Sequence, residues 1–340
     1  MQPLVSILIP AFNAEEWIAA TLRSALAQTY PRKEIIVIDD GSSDRTLEIA
    51  RHFESACLRV LQQKNQGAAA ARNKAFSLSQ GDYIQWLDAD DLLAPDKIAR
   101  QVEAAGEGKR MLLSSAWGQF MYRPQRAKFI PTGLWNDLSP VEWLLRKLGQ
   151  NFYMQTATWL VTRELTETAG PWDTRMDVDD DGEYFCRVLL ASDGVRFVPE
   201  AKMYYRTSGA GRLSYIGRSN RKLEAQWCSM RLHIAYLRSL EDSERVQAAC
   251  VKYLQNSLIL FHPERPDIVD QVAEMGRSFG AGLDLPQLPW KYSWMQGVFG
   301  WRLARRAWLL LPQIRWALER SWDKALFRFE NARMAENPGA

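Results

Sequence analysis

Over the first third of the chain, short apolar runs alternate with longer stretches in which apolar positions recur every three or four residues. The run Val5-Ser6-Ile7-Leu8-Ile9 and its successors predict strands at 5–10, 34–39, 58–61, 83–87 and 111–116. Between them helices are expected to start near Ala14, Asp44, Gly67 and Pro95, with Asp44 and Asp96 suited to helix N-termini by capping or by the helix dipole. Such alternation is the mark of β-α-β units and a mainly parallel sheet, and right-handed crossovers place the helices on both of its faces.

From 117 to about 210 the pattern is mixed, with helices expected at 140–148 and 181–190, which reads as α+β material built onto the first half. After Ser214 strands vanish. Helical periodicity runs through 215–240, 243–257, 267–278 and 297–329, with breaks expected at Pro263, Pro266, Pro286, Pro289 and Pro312. The expected division is 1–214, made of halves 1–116 and 117–214, followed by a helical region 215–340. No window of eighteen apolar residues occurs, so a transmembrane helix is not expected.

Composition adds bounds. The 340 residues are 47% apolar and 24% charged, as in a folded globular protein. A formal net charge of +3 argues against a dedicated nucleic-acid binder. Cys57, Cys186, Cys228 and Cys250 show neither CxxC nor metal-ligand spacing, so neither a disulfide framework nor a zinc site is expected. With no signal-like segment before the first strand, a reducing, cytoplasmic setting is the expectation. His52, His233 and His262 fall in no catalytic spacing and are assigned no role.

The chemistry gathers where strands end, the edge at which open parallel sheets bind ligands. The first strand ends in Pro10-Ala11-Phe12-Asn13, the second in Asp39-Asp40-Gly41-Ser42-Ser43-Asp44, and the fourth in Asp88-Ala89-Asp90-Asp91. The run from Asp39 to Asp44 also suits a plain turn and helix cap. Three acids within Asp88 to Asp91 repel one another and have no cationic relief in the residues that follow. A hard cation, Mg²⁺ or Mn²⁺, would neutralise them and fill its shell with water and phosphate oxygens, which implies a diphosphate ligand. Neither a Walker A lysine motif nor a GxGxxG follows the first strand, so the glycine loops of P-loop and dinucleotide-binding proteins are missing.

In this order the elements resemble the family 2 glycosyltransferases, which have the GT-A fold and usually invert the anomeric centre. The resemblance covers residues 4–214. It rests on the first strand with Pro10 to Asn13, on Ser24-Ala25-Leu26-Ala27-Gln28-Thr29, and on Ile36-Val37-Ile38 with Asp39 to Asp44. It continues through Asn65-Gln66-Gly67, Ala71-Arg72-Asn73, Gly81-Asp82-Tyr83-Ile84, Leu87 to Asp91 and Pro95-Asp96-Lys97-Ile98. The resemblance implies an α/β GT-A fold with a helical C-terminal region, 1–116 binding the nucleotide sugar and 117–214 the acceptor. It implies that Pro10, Phe12 and Asp40 meet the nucleotide base, and that Arg72 lies near base or phosphates. Asp88 would bind the ribose and Asp90 the metal of a DxD motif. Ala11, Asn13, Gly67 and Ala89 would complete the nucleotide-sugar pocket, with Asp91 in support.

Inversion by direct displacement needs a base for the acceptor hydroxyl. The segment Asp177-Val178-Asp179-Asp180-Asp181-Gly182-Glu183-Tyr184-Phe185-Cys186-Arg187 resembles the family's Glu-Asp motif at a helix start, preceded by Gly170-Pro171-Trp172-Asp173. Counting back from Arg187 places the pair on Asp180 and Asp181, so Asp181 is the expected base. Asp180, Glu183 and Asp179 stay open as alternatives, since crowded carboxylates raise one another's pKa and an acidic helix start also suits the dipole. Tyr204-Tyr205-Arg206-Thr207-Ser208 and Arg212-Leu213-Ser214 resemble the end of the family's catalytic region, with Arg206 and Arg212 as candidate cations for the diphosphate or, equally, as members of a solvated loop. Trp159, near Gln155 and Thr156, is a candidate acceptor wall or a core residue.

Six of the fourteen tryptophans lie between Trp290 and Trp322, interleaved with Arg302, Arg305, Arg306, Arg315, Arg320, Lys324 and Arg328. On a helical wheel Arg302, Arg305 and Arg306 share one sector, while Trp301, Leu303, Ala304, Trp308, Leu310 and Leu311 spread over the other side. Such a basic amphipathic helix suits peripheral contact of 290–330 with the inner face of a membrane, or packing on the catalytic domain or a second subunit. The expectation is an inverting transferase, with a sugar from a nucleoside diphosphate donor, UDP-linked first, passing to a hydroxyl of a saccharide or lipid-linked saccharide in polysaccharide, lipopolysaccharide or glycolipid synthesis. The alternative is a non-catalytic nucleotide-sugar-binding or membrane adaptor protein of the same fold. A nucleotidyltransferase would need a glycine-rich, lysine-containing loop where Pro10 to Asn13 stand.

Overall fold

Five of the seven residues Val5–Ala11 are aliphatic and all but Pro10 are buried, so this first strand, β1, is covered on both faces as a central parallel strand must be. In the computed structural model, which describes residues 2–106, 110–176, 178–207, 219–284, 286 and 288–336, it is followed by α1 (Ile18–Leu26), β2 (Lys33–Asp39), α2 (Thr46–Arg51) and β3 (Leu58–Gln62). Next come α3 (Ala68–Leu78), β4 (Tyr83–Trp86), β5 (Leu92–Leu93), α4 (Lys97–Ala104), β6 (Met111–Phe120) and β7 (Lys128–Phe129). Then follow α5 (Pro140–Gln150), β8 (Val161–Thr162), α6 (Arg163–Ala169), α7 (Asp180–Ala191) and β9 (Gly194–Arg206). The C-terminal helices are α8 (Asn220–Leu240), α9 (Glu244–Phe261), α10 (Pro266–Ser278) and α11 (Trp290–Glu336). Asp177, Arg212 and the side chain of Arg302 lie outside the described residues.

The first sheet has the order β3-β2-β1-β4-β8, parallel from β3 to β4, with two-residue β8 antiparallel at the edge. The carboxyl ends of β1, β2 and β4 therefore open at one edge. The strand expected at 111–116 is present but does not join this sheet. As β6 it runs on to Phe120 and pairs in parallel with β9 in a second sheet of order β5-β9-β6-β7. Its partner is obscure in sequence because Pro199-Glu200-Ala201 interrupt the alternation of β9, and the pairing skips them at a register shift beside Ser115 and Ala116.

One face of the first sheet packs Ile7, Ile9, Ile35 and Val37 against Ile18 and Leu22 of α1. The other packs Leu8, Ile36 and Trp86 into a larger core that takes in α3, α5 and α7, together with Trp227, Ile234, Tyr253 and Leu254 of α8 and α9. Helices α8 to α10 are thus built into the core that carries the sheet. The proline breaks at 263–266 and 286–289 separate α9, α10 and α11 as expected, but Pro312 does not end a helix. The interruption of α11 falls at Gly300, whose φ of 76° is open to a residue without Cβ. Among the described residues no helix is long and apolar enough to cross a membrane.

Candidate active site

Strands β1, β2 and β4 each deliver polar groups to the open edge. After β1, Phe12 stands half exposed, while Asn13 turns back: its backbone N–H donates to the Ser42 hydroxyl (3.0 Å), and its side-chain oxygen accepts from the N–H of Ser43 (2.8 Å). After β2, Asp40 is buried and accepts from Gln63 Nε2 (2.7 Å) and from the N–H groups of Gln66 (2.9 Å) and Gly67 (2.8 Å). Gly67, with φ of 90°, turns the chain into α3 so that its N–H meets that carboxylate. Asp40 therefore braces the start of α3 by accepting three hydrogen bonds.

After β4 the chain turns tightly, the N–H of Asp91 donating to the carbonyl of Asp88 (3.1 Å). The Ala89 carbonyl accepts from Thr21 of α1 (2.9 Å). Asp91 is buried and points inward, where its Oδ1 accepts the Arg206 N–H (2.8 Å); burial and its neighbours Asp90 and Asp88 push its pKa well above the usual carboxylate range. Asp88 and Asp90 stay partly exposed on the outer side of the turn. Arg206 supports this turn from below: its Nε donates to the Asp90 carbonyl (2.7 Å) and its Nη1 to the Met121 carbonyl (2.8 Å), between the rings of Trp17 and Phe120. Its guanidinium, a candidate for a diphosphate or a solvated loop, is committed to the backbone that shapes the acidic turn.

Arg72, on α3, joins two carboxylate groups that are distant in sequence. Its Nη2 donates to Asp88 (2.8 Å) and its Nη1 to Asp180 (2.6 Å), and it lies flat over Trp172 at 4.3 Å. Trp172 in turn stacks on Tyr184 at 4.0 Å, with Trp86 edge-on to both. Asn73 holds the backbone of Trp172 through two hydrogen bonds of 2.8 and 2.9 Å. The guanidinium is buried, yet the two carboxylates keep it charged and raise its pKa.

The second acidic run opens α7, and its members have different partners. Glu183 is buried, both oxygens taken by Arg187 (2.7 and 2.8 Å) and one also by the Tyr236 hydroxyl (2.7 Å). Asp180 is held by Arg72. Asp179, with φ of 59°, folds its carboxylate over Gly182 and accepts from Ser229 of α8 (2.5 Å). Behind Ser229 lies buried His233, whose Nδ1 meets the Tyr253 hydroxyl at 3.1 Å and whose pKa is pushed down to about 4 by burial. Asp181 and Asp179 both border a cavity of about 400 Å³, together with Lys147, Tyr153, Trp159 and Tyr205. Of the two, Asp181 is the one that no residue of α8 holds. Its protein contacts are the N–H of Gly182 (2.8 Å) and the Thr156 hydroxyl (3.3 Å). Burial first, then repulsion from Asp180 and Asp179, pushes its pKa up to about 7.

Trp159 lines this cavity but is otherwise a core residue, stacked on Phe185 at 5.2 Å. Asn73 stood in a quoted motif without a role, and Ser229 and Tyr236 carried no sequence signal at all, because their contacts come from a helix some fifty residues downstream. His52 and His262 sit apart from the edge. The four cysteines are free thiols.

An open α/β sheet whose strand ends carry acidic turns, beside a cavity lined by carboxylates, has the layout of the GT-A fold. Residues 6–167, just under half of the chain, match the model of "Glycosyl transferase family 2". The chain is 44% identical over 102 residues to the Escherichia coli UDP-Glc:alpha-D-GlcNAc-diphosphoundecaprenol beta-1,3-glucosyltransferase WfaP, a match covering 29% of this chain and 40% of that relative. The chain spans 35–63% of the length of other curated relatives. The fold resembles S. aureus TarS 1-349 in complex with UDP-GlcNAc, with a TM-score of 0.65 at 16% identity over 81% of each chain. It also resembles the mannosyltransferase PcManGT from Pyrobaculum calidifontis in complex with GDP-Man and Mn²⁺, with a TM-score of 0.52 at 18% identity over 95% of this chain and 88% of that one.

Proposed function

We propose that the protein transfers a sugar, with inversion, from a nucleoside diphosphate donor to a hydroxyl of a saccharide or lipid-linked saccharide. A UDP-linked donor is the first candidate, since WfaP is named for UDP-Glc and TarS was solved with UDP-GlcNAc. The observation that carries the reading is Asp181: a carboxyl group on the wall of a cavity, with a pKa pushed up to about 7, linked through Asp180 and Arg72 to the donor-side Asp88.

In this reading Phe12 and Asp40 bound the nucleotide base, with Pro10, Ala11, Asn13, Gly67 and Ala89 shaping the surface around it. Asp88 orients the ribose. Among the described residues no three His, Cys, Asp or Glu side chains converge as a ready-made metal cage. The donor set still fits Mg²⁺ or Mn²⁺, which take one or two carboxylates and complete their shell with phosphate and water; Asp90, on the outer side of the turn, would hold the ion. When bound, such an ion supplies Lewis-acid neutralisation of the departing diphosphate.

Asp181 takes the acceptor proton as the hydroxyl attacks the anomeric carbon. The remaining acids do other work: Asp180 anchors Arg72, Glu183 anchors α7 to Arg187 and Tyr236, and Asp179 fixes the first turn. Arg72 keeps the two acidic runs at a set separation, which positions donor and base together. Turnover of a panel of nucleotide sugars with Mn²⁺, comparing wild type with Asp181→Asn and Glu183→Gln, tests this. Loss confined to Asp181→Asn is the expected result; loss confined to Glu183→Gln would place the base elsewhere, and no turnover by wild type would favour a nucleotide-sugar-binding protein.

A further inference from the structure

The side of α11 turned away from the protein is a continuous apolar surface. Leu303, Leu310, Ile314, Leu318, Trp322 and Phe329 are each more than half exposed. At about 100° per residue they fall within an arc of about 120°. Trp290, Trp294, Val298 and Phe299 are likewise exposed before the Gly300 break. Scattered surface leucines need no explanation, but a row of this length does.

Charge on the same helix is sorted. Its three acids between 290 and 330 are all occupied: Asp323 and Glu330 turn inward to Arg123 (2.7 and 2.9 Å), and Glu319 pairs with Arg315 (2.8 Å). Exposed Arg306 and Arg328 border one margin of the apolar arc and the Arg315–Glu319 pair the other, so the arc is flanked by net positive charge with no exposed, unengaged acid. A second copy laid on this surface would bring arginine against arginine, whereas partnered helices set opposite charges along such margins. A surface of apolar depth beneath a negative sheet of headgroups meets both features at once.

The helix is also strapped in place. Near its start Arg305 pairs with Glu264 and Trp301 meets His262 at 5.4 Å; farther along, Phe327 packs on Tyr122 at 6.0 Å and Lys324 pairs with Glu16 (2.7 Å). Glu16 adjoins Trp17, which covers the Arg206 guanidinium that supports the Asp90 turn. The outward surface is therefore held a layer away from the donor edge.

We propose that α11 docks the protein on an anionic lipid bilayer through the arc from Leu303 to Phe329, so that an acceptor anchored in that bilayer is presented to the cavity beside Asp181. The acceptor class rests on the glycosyl-transfer reading; the docking does not.

Flotation of the full chain with vesicles of equal parts phosphatidylglycerol and phosphatidylcholine tests it, against vesicles of phosphatidylcholine alone. Binding to the anionic vesicles is expected, weakened by at least about tenfold in Leu310→Glu/Leu318→Glu, and weakened also in Arg306→Glu/Arg328→Glu, with unchanged circular dichroism and unchanged turnover of soluble donor. Failure of wild type to float, or equal flotation of the Leu310→Glu/Leu318→Glu variant, overturns the proposal. So does a wild-type dimer without flotation that this variant dissociates, which would make a second copy the occupant. Flotation without donor turnover would uphold the docking and sink the catalytic reading instead.

Discussion

Asp181 and Glu183 show how two carboxylates, two residues apart on one helix, come to opposite surroundings. Glu183 has two cationic contacts and a hydroxyl; Asp181 has two weak donors and an opening. Because Asp181 is pushed up to about 7, kcat/KM is expected to fall as pH drops below about 7, where the base is protonated. Stability has the opposite sense. Between the unfolded pKa near 3.8 and the folded value near 7 the native state binds the extra proton, so the contribution of Asp181 falls as pH rises through that window. Asp181→Asn is accordingly expected to lose about 10²-fold or more in turnover, measured at saturating donor. The same change is expected to raise the melting temperature at pH 8 by about 2 °C or more in calorimetry. An unchanged pH–rate profile would contradict the assignment. Arg72→Met, which leaves Asp88 and Asp180 without their shared cation, is expected to cost about 3 kcal/mol in denaturant unfolding.

Elements here meet through single residues that end them. The start of α7 is shaped by Gly182, where a Cβ would strike the Asp179 carboxylate that Ser229 holds in place. Gly182→Ala is expected to displace that carboxylate and distort the turn carrying Asp181, at a cost of about 1–3 kcal/mol. Ser229→Ala, which loosens the same carboxylate from α8, is expected to lower kcat more than it raises the donor KM; a pure KM effect would assign Asp179 to the donor side. Strand β9 shows how an element escapes sequence reading: Tyr204 to Arg206 were legible as a strand end, but the bulge at Pro199 to Ala201 hid the length that makes it the spine of the second sheet. The parallel strands β1 and β2 were legible because burial on both faces leaves nearly unbroken apolar runs.

At the scale of the molecule, the helical region after 214 divides in two. Helices α8 to α10 contribute Trp227, Ile234, Tyr253 and Leu254 to the core shared with Trp86, Trp159 and Tyr184, whereas α11 contacts the body through side chains in two stretches, Trp301 to Arg305 and Arg320 to Glu330. A chain ended at 214 would expose that core and is expected to be insoluble or to lack a cooperative melt. A chain ended at 286 is expected to stay folded, to melt cooperatively and to turn over soluble donor. Cooperative folding of the shorter chain in circular dichroism melting would show that the helices are an appendage after all.

The ordered motifs were enough to determine the resemblance to the family, the parallel sheet and the edge where Phe12, Asp40, Asp88 and Asp90 lie, because each rests on local chain chemistry: apolar runs, turn residues and charge crowded within a few positions. How the acids of 179–183 are partnered was decided only in three dimensions: Arg72 of α3 takes Asp180, Ser229 of α8 takes Asp179, and Arg187 with Tyr236 of α8 takes Glu183, which leaves Asp181 beside the cavity. The redirection of Arg206 from ligand to scaffold has the same cause. A guanidinium takes the partners that surround it, and for Arg206 those are carbonyls and rings brought together from β1, β4 and β6 by the fold.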